Sequence, residues 1–61
     1  MKNNLNAARV IAHQFLNDKK TEGIIIDVDL ITEIINEKII FLYKDIDSEE
    51  LIKILLADYS V

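Results

Sequence analysis

The chain has no cysteine, no proline, no tryptophan and a single glycine among its 61 residues. Without cysteine there is no disulfide and no thiolate metal site. One glycine cannot build a phosphate-cradling P-loop or a G-x-G-x-x-G turn. The longest purely apolar run, Ile39 to Tyr43, is far too short to cross a bilayer. The opening Met1-Lys2-Asn3-Asn4 leads into no apolar segment of the signal-peptide kind. A soluble cytoplasmic protein with no membrane contact is therefore the expectation. Basic residues are few, and the formal net charge is −4. Arg9, Lys19, Lys20, Lys38, Lys44 and Lys53 are scattered among acids, whereas a nucleic-acid binder concentrates them on one face. No nucleic-acid partner is expected.

What the chain does have is branched aliphatic carbon. Twelve isoleucines and seven leucines argue for a folded domain and against a disordered tail. The length limits that domain. A chain of about 60 residues buries only roughly 60% of its unfolded surface. The gain barely exceeds an entropy cost of about 1.5 kcal/mol per ordered residue. With no disulfide available, dense packing, self-association or docking onto other protein must supply the rest.

The pattern along the chain predicts one α+β domain over residues 1–61, mostly helical with one or two short strands. Asn3 or Asn4 can cap a first helix over about 4–17. Its apolar face is Leu5, Ala8, Ile11, Ala12 and Phe15, at steps of three and four. Asn6, Arg9, His13 and Asn17 take the other side. Gly23 closes a polar connection, being free to adopt positive φ. Asp27 caps a second helix over about 28–36 whose stripe is Val28, Ile31, Ile34 and Ile35, and Ile26 can staple to Ile31. Asn36 tolerates the left-handed conformation and can end that helix. Ile39-Ile40-Phe41-Leu42-Tyr43 then reads as a strand, being β-branched or aromatic at all but Leu42 and off the helical stripe. Asp47 caps a last helix over about 48–59, with Glu50 at N3 and a staple from Ile46 to Leu51. Ile52, Leu55, Leu56 and Tyr59 share a side of it, and Lys53 and Asp58 face out. The order is α-α-β-α.

A lone strand leaves unpaired amides and carbonyls. Only Ile24-Ile25-Ile26 could pair with it from within the chain, so a partner protein or a second copy is expected to do so. The interaction candidates are Ile39, Phe41 and Tyr43 on the strand, with Leu55 and Tyr59 on the last helix.

The candidate chemistry is thin. Asp27-Val28-Asp29 matches a cation-binding D-x-D pattern, yet it sits at a helix start where acids cap. His13 is the only histidine, and Arg9 and Asn17 are its neighbours one turn away, so no carboxylate of its own helix orients it. Glu33 and Glu37, and Glu49 and Glu50, fit solvated faces. Ser48 and Ser60 have no local histidine to activate them. No catalytic residue, metal ligand or cofactor is assigned.

The order of elements resembles the N-terminal region of ImmA/IrrE-type zinc metallopeptidases over about residues 5 to 45. In that family a "V-D-x-x-x-I-A-x-x-x-G-I-x-V" segment runs from helix into strand. Ile26-Asp27 stands where the family has Val-Asp. Ile31-Thr32 matches its Ile-Ala, and Asn36 takes the place of its helix-ending glycine. Glu37-Lys38 lengthens the turn, and the helix over 48–59 replaces a short connection. The H-E-x-x-H zinc helix of the family is absent, and no zinc ligand or catalytic glutamate carries over. The resemblance implies a non-catalytic module of a phage or mobile-element protein, acting by protein–protein contact. The other reading is a free-standing small regulator, of phage or toxin–antitoxin type, acting as a dimer.

Overall fold

The computed structural model describes residues 4–61, and over these the chain is a stack of helices. Helix α1 spans Leu5–Thr21. Asn4 holds the N-cap position without a side-chain bond, and Asn3 lies outside the described residues. The helix outruns its apolar stripe because Asp18, Lys19 and Lys20 continue it as a polar last turn. It stops where Gly23 takes φ of 85°. Gly23 N–H donates to the Lys20 carbonyl and Ile24 N–H to that of Lys19, both at 3.0 Å. This bond pair is a Schellman motif, which satisfies carbonyls the helix itself leaves open.

Helix α2 spans Val28–Ile34. Asp27 opens it, its carboxylate accepting from Leu30 N–H at 2.9 Å. Sequence and structure then part. Residues 39–43 form no strand, and no strand occurs among the described residues. The rod that begins at Val28 continues through a π-helical segment, Ile35–Ile39, into a last short turn, α3, over Ile40–Leu42. Asn36 stays right-handed, so nothing stops the helix there. The fold is all-helical, not α+β.

The reason lies in satisfaction of the backbone. Ile35 donates to the Ile31 carbonyl, Ile40 to that of Ile35 and Tyr43 to that of Ile39. Paired within its own rod, the segment needs no edge partner. β propensity reflects the packing a side chain finds more than an intrinsic backbone choice, and a five-residue apolar run fits buried helix equally well.

Asp47 opens helix α4, Ser48–Asp58, by accepting from Glu50 N–H at 3.2 Å. A second Schellman motif ends it. Ser60 takes φ of 57°, donating to Ala57, and Val61 N–H reaches the Leu56 carbonyl at 2.9 Å. The three rods all touch one another. Their core is Ala8, Ala12 and Leu16 from α1, Ile31, Ile34, Ile35 and Ile39 from the middle rod, and Leu51 and Leu55 from α4. Among the described residues no polar side chain is buried.

Candidate functional site

Two features stand outside that core. One is polar. Arg9, His13 and Asn17 are four residues apart and so share one face of α1. That face meets the end of α4. The Asp58 carboxylate receives a two-pronged bond from Arg9, Nη2 to Oδ1 at 2.6 Å and Nε to Oδ2 at 2.7 Å. His13 Nε2 reaches Oδ2 at 2.7 Å. Tyr59 lies beside this carboxylate with its ring stacked on His13, centroids 5.1 Å apart. Its hydroxyl donates to Asn17 Oδ1 at 2.7 Å and sits 3.2 Å from His13 Nδ1. A phenol has one proton to give. That proton goes to Asn17, the shorter of the two contacts.

The electrostatics follow from this geometry. Hydrogen bonding to Arg9 holds the Asp58 carboxyl below its ordinary range, helped by His13 and opposed by partial burial. The same bond raises the Arg9 guanidinium further. Burial, and then the Asp58 charge, push the Tyr59 phenol up. Asp58 had been expected to face out. Its side chain is instead only 13% exposed, because α4 ends against α1. No carboxylate stands one turn from His13 on its own helix, but one comes to it from 45 residues away.

A planar guanidinium paired two-pronged with a carboxylate is a positioning device with fixed geometry. With both oxygens occupied from α1, Asp58 serves as a clamp between the two helices. The D-x-D acids take other roles, Asp27 as a cap and Asp29 as an exposed first-turn residue. No three His, Cys, Asp or Glu side chains come together as a metal site among the described residues.

The second feature is apolar. Phe41 is 77% exposed and Leu42, beside it at the end of the middle rod, is 59% exposed. Ile25, in the α1–α2 connection, is 80% exposed, and Val28, assigned from sequence to a buried stripe, is also exposed. Among the residues singled out as interaction candidates, only Phe41 is open to solvent. Ile39 and Leu55 are fully buried in the chain's own core and cannot line a surface. Tyr43 is half-buried against that core, and Tyr59 is engaged in the polar clamp. Lys38 lies over the Phe15 ring, 5.3 Å from its centroid.

Sequence reading missed the clamp. The signal available was a stripe of hydrogen-bonding side chains at four-residue spacing, plus an adjacent Asp-Tyr pair near a helix end. What it lacked was which helices meet. No helix among the described residues is long and apolar enough to cross a membrane. Comparison with protein-family models, with curated proteins and with solved structures yields no match to the chain.

Proposed function

We propose that the chain is a non-catalytic protein–protein interaction module whose contact surface centres on Phe41 and Leu42. The observation that carries this reading is their exposure. Two large apolar side chains stand in water at the end of a rod whose isoleucines are largely covered. Aromatic side chains, phenylalanine included, are enriched at protein contact surfaces. The reading no longer draws on an unpaired strand, since that segment is helical and internally bonded. For the same reason it does not draw on the ImmA/IrrE resemblance, whose helix-to-strand passage the fold replaces with continuous helix.

The test places a photo-crosslinking amino acid at position 41 or, as a control, at exposed Glu33, in cells that express the chain. Protein adducts at 41 and none at 33 are the expected result. Equal labelling at both, or none at 41, overturns the reading. Sedimentation equilibrium of the purified chain then separates its two forms. A dimer that Phe41→Asp dissociates identifies a second copy as the partner, and a monomer at high micromolar concentration assigns the adducts to another protein.

A further inference from the structure

The wide turn at Ile35–Ile39 determines which residues after it face the core. Successive residues of an α-helix are about 100° apart. With Ile31 as the core direction, an unbroken helix would set Lys38 and Leu42 each within about 20° of it and Ile40 about 180° away. Exposures show another arrangement. Ile39 is fully buried and Ile40 and Tyr43 are half-buried, while Lys38 is exposed. Phe41 is 77% exposed and Leu42 59%. This is the pattern of the same helix with one residue absorbed by the wide turn. Ile39 and Tyr43 then fall within about 20° of the core, Ile40 and Leu42 about 80° to either side, and Phe41 about 180° away. The bond from Ile40 N–H to the Ile35 carbonyl, five residues back, marks where the residue is absorbed.

Both frames bury apolar residues. The observed one covers Ile39, Ile40 and Tyr43 and leaves Phe41 out. The unbroken one would cover Leu42, bring Ile39 and Phe41 to the flanks, and turn Ile40 and Tyr43 outward. The observed frame thus keeps Ile39 in the core, and it also keeps out Lys38, which the unbroken frame would aim at the core. A buried ammonium is strongly disfavoured without a partner, whereas the observed frame rests Lys38 over the Phe15 ring at the surface.

We propose that residues 38–43 carry two helical frames, and that the π turn with Lys38 holds the one that presents Phe41, making the end of the rod a rotary element. Both readings use the exposure of Phe41, but the frame is read on the free chain, so it can hold where no partner is found there.

The chain has no cysteine, so single cysteines placed at 40 and at 41 report the frame cleanly by their rate of reaction with a disulfide reagent. In the parent, cysteine at 41 is expected to react about tenfold faster than at 40, since reactivity at matched chemistry follows access. Removal of Glu37 should turn the wide turn into ordinary helix and leave that order unchanged. Lys38→Leu should invert it, with circular dichroism confirming the fold, and Lys38→Met takes its place if the leucine variant is unfolded. Faster reaction at 40 in the parent, inversion on removal of Glu37, or an unchanged order in the folded Lys38 variant each overturns the proposal.

Discussion

Asp58 shows how much one side chain can join. It receives Arg9 and His13 from a helix 45 or more residues away, and its neighbour Tyr59 completes the contact through Asn17. A carboxyl held below its unfolded value adds stability above that value and loses it as pH falls through the folded one. The ordinary value is 3.8 and the folded one is lower. The contribution is therefore present from about neutral pH down to the ordinary carboxylate range, and it fades at still lower pH. Asp58→Asn should lower the urea midpoint at pH 7 and shrink the difference from the parent as pH drops below 4. A constant difference across that range would mean that the charge is not what matters. The turn after Tyr59 offers a second measurement. Ser60 sits in the left-handed region, which costs a residue bearing a Cβ roughly 1–2 kcal/mol. Gly at this position removes that cost but gives back part of it through a freer unfolded chain. Ser60→Gly is expected to stabilise the fold by about 1 kcal/mol. Gly23→Ala should destabilise it by a similar amount, although open space surrounds that position, because only φ is at stake.

Element boundaries were legible where a side chain acts on its own backbone. Asp27 and Asp47 stand at helix starts and accept from the amide three residues on. That chemistry is local, so it can be read from spacing. Asp27→Ala should cost about 1 kcal/mol in thermal or urea unfolding, and Asn at the same position should retain most of the stability. Helix α1 was read four residues short because its last turn is polar. The middle rod was misread for a deeper reason. Its core residues Ile31, Ile35 and Ile39, and half-buried Tyr43 after them, fall at steps of four. On a 3.6-residue helix each such step drifts by about 40°, so the stripe winds off the face and the run looks non-helical. A wide turn cancels the drift, and a test for regular α periodicity does not see it. Asn36 looked like a stop signal, but tolerance of the left-handed region is a permission, and burial of Ile35 and Ile39 decided against using it.

At the scale of the whole molecule, no lone strand among the described residues is left for a partner to pair. The Cα radius of gyration is 10.8 Å, close to the roughly 10.5 Å expected of a compact chain this long. Nine apolar residues drawn from all three rods close a core among the described residues. Which helices would meet was the part no local pattern could report, since Arg9 and Asp58 carry no mark of each other in the sequence. Any contact surface would lie outside that core, which separates two kinds of residue that sequence reading had grouped together. Leu55 and Ile39 belong to folding, and Phe41 stands apart from it. The separation is measurable. A domain of this length has about 3–9 kcal/mol of stability in all. Leu55→Ala or Ile39→Ala should remove about 2–5 kcal/mol of that, enough to lower the helical circular dichroism signal at 37 °C. Phe41→Ala, which removes an exposed ring, should change stability by no more than about 0.5 kcal/mol. If Phe41→Ala unfolded the chain as readily as Leu55→Ala, the ring would belong to the core, and both the proposed contact surface and the assigned helical frame would fail together.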